Sequence, residues 1–381
     1  TEDKGETWTE ITGIDYLGAA YGYYTWGLAS CNVGESIWCA ATNTSYDSSF
    51  VFRSYDAGVT WDSYKIPVEV IPNYPRSIAM SDDDNGLIAA QGGYLIRTMD
   101  GAETWEPTSN PDTSASSYVN GVVAIPGTDM IVAMDDIGVY YTSDLGTNWG
   151  EITTPAETAD DYIVSGMFLN MNMGYVFTYN GQVLRFENQL MQGFDDLVVA
   201  EEILFNGEPP EEMFFKPGRI LDENTVWFCG NIEGLFAQEV YVFRSVDGGE
   251  TFTHNATGIP GRAAQMDAFD ESIAVVATAE GKIFRTEDGG ETFTEVYSYS
   301  IGDMDGWFDG CRVLNENVAV AFGDFEPDGN MHFVRTEDKG ETWTEITGID
   351  YLGAAYGYYT WGLASCNVGE SIWCAATNTS Y

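Results

Sequence analysis

Positive charge is scarce in this chain. Lysine and arginine together number 15 against 60 aspartates and glutamates, a formal net charge of −45. A surface of that sign repels nucleic acid and anionic lipid, so neither is expected as a partner. Histidine occurs twice and cysteine six times, with no C-x-x-C pair and no Cys/His cluster at zinc spacing. No metal site or cofactor is therefore predicted from them. There is no run of 18 apolar residues, so no membrane-spanning helix is predicted. The chain opens in mid-motif, and its first residues say nothing of a leader peptide.

What is present is repetition. Residues 1–46 recur without change at 336–381, a period of 335 residues. Duplicated segments drift unless they are recent or kept uniform. The chain therefore reads as a slice of a longer array of near-identical units. Hydrophobic residues make up 44% and aromatics 14%, enough for a large core.

A shorter motif, [ST]-x-D-x-G-x-[TN]-[WF], recurs within the period. It carries Asp56, Gly58 and Trp61; Asp100 and Trp105; Asp144, Gly146 and Trp149. It returns with Asp247, Gly249 and Phe252; Asp288, Gly290 and Phe293; and Asp338, Gly340 and Trp343. In such a turn the aspartate accepts backbone N–H groups, glycine supplies φ > 0, and the aromatic opens the next strand. In TMDGAETW (98–105) the glycine comes one place early, at Gly101, which predicts a distorted turn. In TSDLGTNW (142–149) Asn148 replaces the threonine.

The motif resembles the Asp box, or BNR repeat, of sialidases, sortilin-type receptors, xyloglucanase-like glycosidases and photosystem assembly factors. The resemblance implies a β-propeller. Each box lies between alternating strands such as FVFRS (50–54), YVFRS (241–245) and HFVRT (332–336), with two more strands upstream. The expected unit is a four-stranded antiparallel blade. Box spacings of 41 to 53 residues, plus a box-less unit around 167–189, fit seven blades of about 48 residues into one period. The expected fold is all-β, a seven-bladed propeller. Residues 1–13 would end the preceding unit and 14–348 form one propeller, with blades near 21–66, 74–108, 117–154, 162–198, 211–256, 262–298 and 305–348. Residues 349–381 would open the next unit.

Sialidase chemistry needs an arginine triad and usually an Arg-Ile-Pro motif. None occurs; Arg219-Ile220-Leu221 is the nearest match. No catalytic residue is assigned. Six arginines, Arg53, Arg97, Arg185, Arg244, Arg285 and Arg335, share one position before the box, which predicts pairing with carboxylates of neighbouring blades. Arg76, Arg219, Arg262 and Arg312 fall in or before first strands and are candidates for an anion- or glycan-binding lining of the channel mouth. Tyr23, Tyr24, Trp26, Trp307 and Phe308 are candidate sugar-stacking rings.

Cys31 and Cys39 flank NVGESIW, two short strands around a Gly-Glu turn, and their copies are Cys366 and Cys374. A bridge across that hairpin is expected, with Cys229 and Cys311 unpaired and separated by a blade. Asn43, its copy Asn378, and Asn255 fit the N-glycosylation pattern. The turns at 82–86, 303–306 and 326–330 are candidates for calcium, although none matches an EF-hand.

Three functions compete. The first is a non-enzymatic extracellular or cell-surface structural or adhesive array, whose partners are copies of itself. The others are a carbohydrate-active or glycan-binding propeller and a sortilin-like receptor module. The junction TEITGIDYLGAAYGYYT between Trp343 and Trp361 is rich in tyrosine and lacks linker composition, which predicts a fixed filament or stalk.

Overall fold

A computed structural model describes residues 29–42, 49–56, 59–71, 74–111, 119–135, 138–152, 163–171, 173–178, 183–187, 198–200, 213–232, 239–302, 304–325, 331–346, 363–368 and 371–376. Every regular element among them is a strand. Seven four-stranded antiparallel sheets follow one another, each in simple meander order. They are the blades of a seven-bladed β-propeller. No described helix is long and apolar enough to cross a membrane.

Blade 1 is Ala29–Val33, Ser36–Thr42, Ser49–Ser54 and Asp62–Ile66. Blade 2 is Pro75–Met80, Asn85–Ala90, Tyr94–Met99 and Glu106–Pro107, and blade 3 is Val119–Ala124, Ile131–Asp135, Val139–Thr142 and Gly150–Ile152. Blade 4, the one without a box, still forms Ile163–Asn170, Met173–Thr178, Val183–Glu187 and Val198–Ala200. Blade 5 is Met213–Ile220, Val226–Ile232, Glu239–Ser245 and Thr253–Pro260, and blade 6 is Ala263–Ala268, Ala274–Thr278, Lys282–Thr286 and Thr294–Ser298. Blade 7 is Phe308–Val313, Ala319–Phe325, Met331–Thr336 and Thr344–Glu345.

Burial follows strand order. Second strands are sandwiched between blades, so Ile131–Asp135 and Ala274–Thr278 are buried along their length and read as apolar runs rather than alternating ones. Fourth strands such as Asp62–Ile66 and Thr294–Ser298 form the wetter rim. First strands line up from blade to blade, and in blades 2 to 7 each carries a register shift, as at Pro75/Ser77 and Pro217/Arg219. A bulge of this kind bends the innermost strand and increases its twist.

The core is a series of plates between blades. Trp38, Ile78, Ile88 and Trp105 fill the seam between blades 1 and 2. Phe177, Phe215, Phe228 and Phe243 fill that between blades 4 and 5. Each such side chain contributes about 1.5–3 kcal/mol on leaving water. The box aromatics obey one rule. Trp105, Trp149, Phe252, Phe293 and Trp343 each join the seam with the preceding blade.

The expected Cys31–Cys39 bridge is corrected by register. Cys31 stands opposite Trp38 and Cys39 opposite Ser30, one residue out of step, so the two thiols project from opposite faces. Cys31 packs into the blade 1–2 seam and Cys39 into a separate cluster on the other face. No disulfide links Cys31, Cys39, Cys229 or Cys311. The second copy pairs in the same register, Cys366 opposite Trp373 and Cys374 opposite Ser365. Cys229 and Cys311 lie in a second strand of blade 5 and a first strand of blade 7. Burial raises the Cys229 thiol to about 12 and lifts the Cys311 thiol as well, which keeps both protonated and inert.

Candidate functional site

The six motif turns are built alike. In 286–293, Asp288 Oδ1 accepts the Thr286 hydroxyl at 2.8 Å and the Thr292 amide at 2.9 Å, while Oδ2 accepts the Thr292 hydroxyl at 2.5 Å. The Gly290 amide closes the turn onto Thr286 Oγ1 at 2.9 Å. The same set holds around Asp100, Asp247 and Asp338. Around Asp56 the three carboxylate bonds are again present. Around Asp144 the Asn148 amide nitrogen replaces the threonine hydroxyl at 2.7 Å. Burial alone would raise the Asp288 carboxyl, but the bonds from Thr292 and Thr286 outweigh it and hold the group at about 2. The other five aspartates are lowered too; for Asp56 the Thr60 hydroxyl is the leading cause.

The early glycine at 98–105 does not distort its turn, contrary to expectation. Gly101 takes φ 70° and Ala102 φ 78°, so an alanine occupies the left-handed position that glycine holds elsewhere. The Ala102 amide still reaches Thr98 Oγ1 at 2.9 Å.

The turns also join the blades. The carbonyl of the fourth turn residue accepts a bond from the blade before it. Arg53 Nη1 donates to Gly101 O at 2.8 Å, Thr108 Oγ1 to Leu145 O at 3.0 Å, Tyr175 Oη to Gly248 O at 3.0 Å, and Arg285 Nε to Lys339 O at 2.7 Å. Arg244 Nη1 would stand 2.7 Å from a Cβ placed on Gly289. Arg97 reaches Thr147 Oγ1 at 2.8 Å. At Arg53 and Arg285 the expected arginine–carboxylate pairing between blades is thus joined or replaced by arginine–carbonyl bonding. Carboxylates nearer in sequence take the remaining donors, as with Arg97–Glu106, Arg285–Glu287 and Arg335–Glu337. Arg53 also reaches a carboxylate of the next blade, Glu103 at 3.3 Å, and lies between the rings of Tyr55 and Tyr64 at 4.6 and 4.7 Å.

A second repeated device escaped the sequence reading. The turn between first and second strands is an Asx turn at Asp82, Asp222, Asp270 and Asn315, each side chain accepting amides two and three residues on. The fourth residue of the box turn donates its N–H into this loop, as Gly101 to Asp84 O at 2.9 Å and Lys339 to Asn317 O at 2.9 Å. The recurring [DN]-[DE]-[DNS] before the second strands of blades 2, 5, 6 and 7 was the available signal. In the 82–86 turn the Asp82 carboxylate is filled by protein donors, and no metal-ligand cluster exists among the described residues. Of the other calcium candidates, 326–330 lies outside the described residues, as does residue 303.

The four candidate anion-binding arginines do not act as one group. Arg219, half-exposed, crosses blade 6, binding Asp267 at 3.3 Å and Val313 O of blade 7 at 2.9 Å. Asp267 is 5% exposed and also accepts the amides of Ala268 and Val313, so one carboxylate stitches three first strands. Arg262 lies 4.6 Å over the Trp307 ring and faces Glu280, whose carboxyl burial raises. Arg76 sits at the bulge of blade 2, and Arg312 pairs opposite Val320 in blade 7. Trp307 is thus covered by Arg262, and Phe308 is 0% exposed, so neither offers a free sugar platform. Tyr23, Tyr24 and Trp26 lie outside the described residues, as do Asn43, Asn378 and Gly58. Asn255 pairs through its backbone with Val242, and the Thr257 hydroxyl of its tripeptide is bonded to Val240 O.

No protein-family model matches the chain, and no curated protein does. Solved structures do. YCF48 bound to a D1 peptide superposes with a TM-score of 0.54 at 12% identity, covering 84% of this chain and 95% of that one. YCF48 from Cyanidioschyzon merolae gives 0.50 at 17% identity, covering 79% and 94%. The GH74 xyloglucanase from Xanthomonas campestris gives 0.50 at 14% identity, covering 90% of this chain and 63% of that one. Likeness at these identities establishes the shared propeller fold.

Proposed function

We propose that this chain is a segment of a non-enzymatic structural or adhesive protein, a tandem array of Asp-box propellers at the cell surface or outside the cell. The observation that carries the reading is the unchanged recurrence of 1–46 at 336–381. Uniform repeats serve assemblies in which every unit makes the same contact. The disposition of charged groups supports it. The box aspartates are engaged in closing their own turns, and the Arg53, Arg97 and Arg285 side chains and Asp267 in holding blades together. Partners of the array are copies of itself. Electron microscopy of a chain of several consecutive repeats tests this. A rod with constant rise per propeller supports it, and propellers strung on a flexible thread overturn the filament.

A further inference from the structure

Blade 1 has a face that no other complete blade explains. Ile37, Cys39, Ala41 and Phe52 form a buried cluster there, with Phe50 and Trp61 packed against it. The opposite face meets blade 2. At five other blades the box aromatic points to the preceding blade, so Trp61 marks this face as the place of a predecessor. Among the described strands outside blades 1 and 2, Leu363–Val368 packs beside Ala29–Val33. It pairs with Ser371–Ala376 in a two-stranded hairpin. Residues 363–376 are the same sequence as 28–41.

We propose that this face of blade 1 is an inter-repeat docking surface whose occupant is the opening hairpin of the following repeat. Two arguments support that occupant. A two-stranded hairpin alone is marginal in water and needs an apolar support. The support offered is also buried: Ile37 is 0% and Cys39 8% exposed. The contact is heterologous, because the face of one repeat receives the hairpin of the next. The proposal rests on the repeat reading, but docking itself is a property of the 381-residue chain and is tested there.

Hydrogen exchange on the whole chain decides it. A Thr377→Ser substitution gives every peptide that spans residue 377 a mass distinct from its first-copy counterpart, so exchange is read on peptides running from the hairpin through that residue. Docking predicts that amides of Leu363–Val368 and Ser371–Ala376 exchange about 100-fold or more slower than free peptide. Exchange at the free-peptide rate overturns the proposal, whatever longer arrays do. A second measurement uses native thiols. In the unaltered chain Cys39 resists maleimide. Ala375→Pro, which breaks the hairpin, exposes Cys39 at least about tenfold while Cys229 and Cys311 stay protected. Unchanged Cys39 protection with a broken hairpin also overturns the proposal.

Discussion

Arg53 of blade 1 and Gly101 of blade 2 are joined by a 2.8 Å bond from guanidinium to main-chain carbonyl. The arginine is 6% exposed and shares its other donors with Tyr64, Asp62 and Glu103. A lysine in its place offers one compact charge and cannot span those acceptors. Arg53→Lys is expected to cost about 2–3 kcal/mol, the scale of losing charged hydrogen bonds at a buried site. Urea unfolding checks it: a midpoint unchanged from that of the parent chain would remove the bond from the stability of the seam.

Neighbouring positions in the same turn should respond differently. Gly101→Ala drives a Cβ onto Tyr55 Oη and to 2.9 Å from Arg53 Nη1, at φ 70°. It is expected to destabilise by about 2 kcal/mol or more through strain and displacement of the arginine. Ala102→Gly relieves a left-handed alanine, worth about 1–2 kcal/mol, and loses a buried methyl worth about 0.8 kcal/mol. Its net effect should fall within about 1 kcal/mol of zero. Paired thermal melts of the two variants give the comparison.

His332 gives the protein an acid-sensitive seam. It stacks on Tyr299 at 3.7 Å between centroids and meets Tyr297 Oη at 2.9 Å, between blades 6 and 7. Burial lowers it to about 4, against a smaller opposing pull from Glu345. A histidine depressed in the folded state stabilises it fully above the unfolded value of about 6.5, and that stability is lost as pH falls toward 4. The loss amounts to about 3 kcal/mol at most. His332→Phe keeps the stack and should lessen the fall in stability between pH 6.5 and 4, leaving the smaller part due to His254, which burial also lowers. If the parent chain is already flat there, the histidine is not held neutral.

The box aspartates act in a lower window. Their folded values lie below the ordinary 3.8, Asp288 at about 2, so their contribution is present above pH 4 and lost as pH falls through 2. Asp288 is exposed, and solvent screening reduces what its shift is worth. Asp288→Asn should cost about 1 kcal/mol at neutral pH. It should also lessen the fall in stability between pH 4 and 2, leaving the histidine window unchanged. Melting curves collected across both windows separate the two groups.

The propeller was legible because its punctuation is repeated: six turns, each between alternating strands. Blade 4 kept its sheet without a box because strands such as Met173–Thr178 and Val183–Glu187 carry their own apolar pattern. The cysteine pairing failed by one residue. The hairpin turns on Gly34 and Glu35, which sets Cys31 against Trp38 rather than Cys39. The pre-box arginines were visible as a column, but their acceptors were not, since a backbone carbonyl has no residue type to recognise. Asp267 was hidden for the reason that makes it important. It is one carboxylate among 60, and only the curvature of the ring brings Arg219 and Val313 to it.

The seams have a sense of direction: a side chain from one blade, a main-chain carbonyl from the next. Because the carbonyl belongs to the fourth residue of the turn in blades 2, 3, 5 and 7, the receiving part is interchangeable. An in-frame recombination that removed or added one whole blade would still bring a side-chain donor, whether arginine, threonine or tyrosine, against a carbonyl of the same kind. Gene conversion and unequal crossing-over between copies are thereby tolerated by the fold. A lineage can lengthen, shorten or homogenise such a gene without having to redesign a seam.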